Sequence, residues 1–173
     1  LERDGFTGGR VLDPSMGTGN FFAAMPKHLR ENSELYGIEL DTITGAIAKH
    51  LHPNSHIEVK GFETIAFNDN SFDLVLSNVP FANIRIADSR YDKPYMIHDY
   101  FVTKSLDLVH DGGQVAMISN GQKTFSRTFV RRLIFLVVCV YQIALLRPLQ
   151  APMSQQICCS SRSIWIRDMW QMI

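Results

Sequence analysis

The stretch Val11-Leu12-Asp13-Pro14-Ser15-Met16-Gly17-Thr18-Gly19-Asn20-Phe21 runs from an apolar strand through a glycine-bearing turn into a helix. Two glycines spaced by one residue permit positive backbone dihedrals and let a ligand approach the main chain closely. The turn lacks the third glycine of the GxGxxG dinucleotide fingerprint. A nicotinamide-dependent dehydrogenase is therefore a distant reading. Arg10–Asp13 forms the strand, and Phe21, Phe22, Met25 and Leu29 lie at helical spacing, which predicts one helix over Asn20–Glu31.

Working outward, Leu35–Leu40 reads as a second strand, and Ile43–Leu51 as a helix stopped by His52-Pro53-Asn54. Ile57–Lys60 is a third strand and Phe72–Ser77 an apolar fourth, as a central parallel strand should be. Asn83–Lys93 is polar and loop-like. Asp99–Val109 is a helix capped by Asp111-Gly112-Gly113, and Gln114–Ser119 is a fifth strand. Strands alternating with helices predict an α/β fold, an open and mostly parallel sheet with helices on both faces. Ligands of such sheets sit at the carboxyl ends of the strands, where the glycine turn falls.

The 173 residues suffice for one domain with a single core, and the net charge is zero. That balance conceals two regimes. Residues 1–121 carry 10 Lys/Arg and 16 Asp/Glu, net −6, and all 11 glycines. Residues 122–173 carry 7 Lys/Arg and one Asp, net +6, with Cys139, Cys158, Cys159, Trp165 and Trp170. The cysteines form neither a disulfide framework nor a metal-ligand pattern, so no metal is expected. With a polar N-terminus, they point to a reducing, cytoplasmic setting. The apolar run Leu133–Leu146 is shorter than the roughly 20 residues of a membrane span. It reads as a buried segment.

The candidate site residues cluster at the predicted strand ends. Asp13 is placed to accept from a cofactor amine or a bound water. Glu39, about 20 residues after the glycine turn, is placed to accept both ribose hydroxyls. Its rival Asp41 also reads as a helix N-cap. Phe62 offers a ring to a cofactor adenine and Glu63 an acceptor for its amine; a core aromatic and a surface acid read as well. Asn78-Val79-Pro80-Phe81 closes the fourth strand. The Asn78 side-chain oxygen and the carbonyl of Pro80 or its neighbour would grip the two hydrogens of an exocyclic amine. Phe81 would stack on the base. Held so, the nitrogen lone pair aims at an electrophilic methyl, an effect of positioning and aligned dipoles. Asp99 reads as the N-terminal carboxylate of its helix and Phe101 as core. Together the motifs indicate methyl transfer to an amine nitrogen.

Residues 10 to about 120 resemble the S-adenosylmethionine-dependent adenine-specific DNA methyltransferases, in particular the methylase modules of plasmids, phages and conjugative elements. Asp13-Pro14-Ser15-Met16-Gly17-Thr18-Gly19-Asn20 looks like their cofactor loop, Glu39-Leu40 like the ribose-binding acid and its neighbour, and Asn78-Val79-Pro80-Phe81 like their (Asn/Asp)-Pro-Pro-(Tyr/Phe) motif. Ser105–Ile118 looks like the helix and strand that follow. Val79 departs from the family's proline. The resemblance implies a Rossmann-like class I methyltransferase fold, S-adenosyl-L-methionine as cofactor and a flipped adenine in DNA as substrate. It assigns Asn78, Pro80 and Phe81 to catalysis. It assigns Asp13, Pro14, Met16, Gly17, Thr18, Gly19, Asn20, Glu39 and Leu40 to the cofactor, to which Phe62 and Glu63 are added from their own position after the third strand. RNA adenine and the amide of a protein glutamine are alternative acceptors, and a non-catalytic remnant of the fold is a third reading.

The family also carries a segment before the first strand, closing strands and a DNA-reading region. Residues 122–173 look like none of these. Slipping the back-translated codons of Thr124–Pro148 by one base permits text resembling the family's helix, loop and strand. The expectation is therefore a methyltransferase core over 1–121, an out-of-frame tail over 122–173, an incomplete sheet and a weak or inactive enzyme. The acidic balance of residues 1–121 agrees that this part carries no phosphate-binding surface of its own.

Overall fold

The computed structural model describes residues 5–119 and the strand Ile134–Cys139, which fall in the compact unit Leu1–Val140. In chain order the elements are β1 (Gly9–Asp13), α1 (Asn20–Ala24), α2 (Lys27–Glu31), β2 (Ser33–Glu39), α3 (Thr42–Leu51) and β3 (His56–Val59). They continue with β4 (Phe72–Asn78), β5 (Arg85–Ile86), β6 (Tyr95–Met96), α4 (Ile97–Leu108), β7 (Val109–Ser119) and β8 (Ile134–Cys139). Six strands form one sheet in the order β3-β2-β1-β4-β7-β8, and every pairing in it is parallel. Strand order reverses between β1 and β4. In open α/β sheets ligands bind at such a switch point, outside the carboxyl ends of the strands.

Alternation along the strands builds two cores, because successive side chains point to opposite faces. Val11, Leu74 and Leu76 pack on one face with Phe22, Leu29 and Ala48 from α1, α2 and α3. Leu12 and Val75 pack on the other with Tyr100, Phe101 and Leu108 from α4. The expected α/β sheet with helices on both faces is the observed architecture.

Three local expectations are corrected. The helix over Asn20–Glu31 is two helices, because Pro26 forces Met25 into an extended conformation (φ −63°, ψ 133°) and breaks the ladder. The loop Asn83–Lys93 contains β5, which pairs antiparallel with β6. Asp111–Gly113 lies at the start of β7 rather than capping α4, which ends at Leu108; the register between β4 and β7 shifts there, with Gly112 at φ 87°. In addition, part of the apolar run 133–146 forms β8, which pairs with β7. The sheet thus extends beyond its fifth strand. The rest of the tail read as out of frame lies outside the described residues.

Candidate active site

The carboxyl ends of β1, β2 and β4 converge on the glycine turn. Gly17 (φ 56°) and Gly19 (φ 89°) both take left-handed conformations. The Met16 N–H donates to the Ile38 carbonyl (3.0 Å), and the Met16 side chain is buried against Gly37, where any Cβ would strike its sulfur. Gly19 has no room for a side chain because the His52 ring occupies that space. His52 Nε2 lies 3.2 Å from the Thr18 carbonyl and its ring meets Phe22 edge-on. Above Gly17 there is nothing within 4 Å of the position a Cβ would take. The turn is thus braced from below and open above.

Glu39 spans this turn and the next. Its Oε2 accepts from the Gly17 N–H and its Oε1 from the Asp41 N–H, each at 2.8 Å. Each carboxylate oxygen has a further lone pair for a ligand hydroxyl. Asp41 accepts from the Thr44 N–H (3.0 Å) and the Thr44 hydroxyl (2.9 Å) and caps α3. Leu40, between them, is 74% exposed, an apolar surface beside the carboxylate.

Asp13 is fully buried. Its Oδ1 accepts from the Ser15 N–H (3.1 Å) and the Ser77 hydroxyl (2.9 Å), while Oδ2 has no partner. Burial, aided by the Glu39 charge and opposed by those two hydrogen bonds, pushes its carboxyl up to about 7. Ser77 thereby ties the glycine-turn strand to the strand that ends in Asn78. Nothing in the sequence singled out Ser77 except a hydroxyl in an apolar run.

Asn78 is exposed at the end of β4. Val79 is buried beside it, and its N–H donates to the Ile118 carbonyl (3.0 Å). A proline could not make that bond, so the departure at this position extends the β4–β7 pairing and braces the turn. Pro80 is half-buried. Phe81 is 55% exposed, with the His98 ring 6.3 Å away and the buried His98 Nδ1 without a partner.

The remaining candidates divide. Thr18 and Asn20 stand at the turn, their side chains 3.4 Å apart. Pro14 is buried beneath it. Phe62 is 3% exposed, packed against Tyr100 and Phe101 with the Lys104 ammonium 4.7 Å from its ring centroid. Its faces are those of a core aromatic. Glu63 is half-buried and its carboxylate folds over Gly61. Among the described residues no His, Cys, Asp and Glu cluster could hold a metal ion, and no helix is long and apolar enough to cross a membrane.

A methyltransferase-domain family profile matches residues 11–92, the span from the glycine turn past Phe81. An S-adenosyl-L-methionine-dependent methyltransferase from Methanococcus maripaludis superposes with a TM-score of 0.50 at 18% identity, over 67% of this chain and 50% of that one. The chain has a class I methyltransferase fold. It is also 32% identical over 115 residues, 64% of its length, to the Defense against restriction protein B of Escherichia phage P1. Those residues span 5% of that much longer relative. A phosphoethanolamine N-methyltransferase from Haemonchus contortus, solved with S-adenosylhomocysteine, aligns at 26% identity over 75% of this chain and 29% of its own, with a TM-score of 0.49.

The residues present fit S-adenosyl-L-methionine. Gly17 leaves space above the turn, Glu39 keeps acceptor capacity beside the exposed Leu40, and Asp13 retains an oxygen without a partner.

Proposed function

We propose that the chain is the cofactor-binding and catalytic part of an adenine-specific DNA methyltransferase that uses S-adenosyl-L-methionine. The observation that carries this reading is the exposed Asn78, joined through Ser77 and Asp13 to the strand that opens the glycine turn. The cofactor supplies an electrophilic methyl on a positively charged sulfur. Glu39 would accept from its ribose hydroxyls, Leu40 would flank its adenine, and the Gly17–Asn20 backbone would line its approach.

An adenine amine is a poor nucleophile, because its lone pair is delocalised into the ring. The Asn78 Oδ1 and the Pro80 carbonyl would accept its two hydrogens and hold the nitrogen pyramidal, with the lone pair directed at the methyl. Phe81, exposed beside them, would stack on a base rotated out of its duplex. The bound donor would release its methyl from sulfur to the nitrogen that Asn78 and Pro80 hold, and the surplus proton of the amine would pass to solvent afterwards. No residue need be deprotonated beforehand. The name of the phage relative supports DNA as acceptor, since a methyl on an adenine amine alters the edge that a restriction enzyme reads in the major groove.

Transfer of tritiated methyl groups to unmethylated DNA tests the reading. Asn78→Ala is expected to lower transfer about 100-fold or more, the scale of losing one aligned polar group, with cofactor affinity by calorimetry unchanged. Equal labelling by both proteins would remove Asn78 from the mechanism. Labelling of RNA or protein but not DNA would reassign the acceptor.

A further inference from the structure

Lys104, Asp88 and Tyr100 form a buried polar cluster with no part in the assigned chemistry. The Lys104 side chain is 1% exposed, and its ammonium donates to Asp88 Oδ2 (2.8 Å) and to the carbonyls of Phe62 (2.7 Å) and Ile65 (3.0 Å). An ammonium has three N–H donors and all three are used. The cluster therefore holds protein, not ligand. Asp88 Oδ2 also accepts from the Tyr100 hydroxyl (2.7 Å), and Oδ1 accepts from the Arg90 N–H (2.9 Å).

Two segments are joined by these bonds. One is the 3-10 turn Phe62–Thr64 after β3, which carries Glu63 and is closed by Thr64 N–H and hydroxyl bonds to the Gly61 carbonyl (2.9 and 2.8 Å). The other is the loop between Phe81 and α4, which carries β5 and β6. They face each other across a crevice of roughly 350 Å³, with Lys104 and Asp88 in its wall. Burial acts to raise the Asp88 carboxyl, but the bonds from Lys104, Arg90 and Tyr100 outweigh it and hold it below its usual range. Replacing a buried ion pair by apolar residues of equal volume is often neutral or stabilising. Packing alone gives no reason for charge here; a fixed geometry between two backbones does.

We propose that Asp88, Lys104 and Tyr100 are positioning residues that lock the turn after β3, whose Glu63 would accept from the cofactor's adenine amine, to the loop after Phe81, so that cofactor binding orders the segment that receives the base. The proposal rests on the methyltransferase reading above. Both sites then report on one mechanical unit, and occupancy at one stabilises the other.

Hydrogen–deuterium exchange by mass spectrometry on the full 173-residue chain tests it, with and without S-adenosyl-L-methionine. The wild type is compared with the Asp88→Asn/Lys104→Met pair, which removes both charges together, and with Tyr100→Phe, which deletes one hydroxyl. In the wild type the cofactor is expected to slow exchange several-fold over residues 84–96 as well as around the glycine turn. The double variant should bind the cofactor by calorimetry and protect the glycine turn alone. Tyr100→Phe should protect residues 84–96 to an intermediate degree. Equal slowing over 84–96 in wild type and variants overturns the proposal, as does a wild type that binds without protecting them. If the double variant does not fold, wild-type protection in Tyr100→Phe overturns it. A wild type that fails to bind the cofactor sinks the functional reading, and the lock with it.

Discussion

Asp13 has no contact with solvent, yet one of its oxygens lacks a partner. Folded, it holds its proton until about pH 7, whereas its ordinary value is 3.8. Between pH 4 and 7 the folded state therefore binds more protons than the unfolded one, and stability falls as pH rises through that window. Asp13→Asn should remove this slope: the urea midpoint of the variant is expected to gain on the wild type from pH 4 to 7 and to stay level above it. At about 1.4 kcal/mol per unit, the difference is at most on the order of 4 kcal/mol. The sequence marks Asp13 as a strand-end acid beside two glycines. It marks neither the burial nor the bond from Ser77, 64 residues away.

At the level of elements, the acids after β2 separate into two roles. Glu39 binds backbone N–H groups across two turns, whereas Asp41 caps α3. Asp41→Ala is expected to cost about 1 kcal/mol of stability with cofactor affinity unchanged. Glu39→Gln should weaken cofactor binding roughly tenfold, the effect of losing about 1.4 kcal/mol. Thermal melts and calorimetry on both variants check the division. Equal affinity losses in both would mean that Asp41, too, touches the ligand. The spacing of apolar residues made β1 to β4 and α3 legible, since each is a local pattern. It overran Pro26, where four apolar residues at helical spacing suggested a single helix. Local backbone chemistry at one proline outweighed the periodicity.

Across the molecule, the amino ends of the strands are held by a second polar junction, opposite the site. Asp73 on β4 accepts from the Arg10 N–H of β1 (2.7 Å) and lies 2.9 Å from His110 Nε2 on β7. His110 is raised above its ordinary value, first by the Asp111 carbonyl 2.7 Å from Nδ1 and then by Asp73. Its contribution to stability is complete below the unfolded pKa near 6.5 and is lost as pH rises through the folded value. His110→Gln should therefore destabilise the protein more at pH 5.5 than at pH 9, by urea midpoints. A constant difference would refute the linkage. The order of strands and helices through β7, apart from β5, β6 and the break at Pro26, was determined by the chain's local text, as were the glycine turn and Asn78 at the end of β4, because periodicity and turn chemistry act over a few residues. The bond from Ser77 to Asp13, the Val79 brace and the Lys104–Asp88 lock were decided only in the tertiary structure. Each depends on which distant segment comes to lie opposite, and on a burial that turns an ordinary polar residue into an obligatory partner.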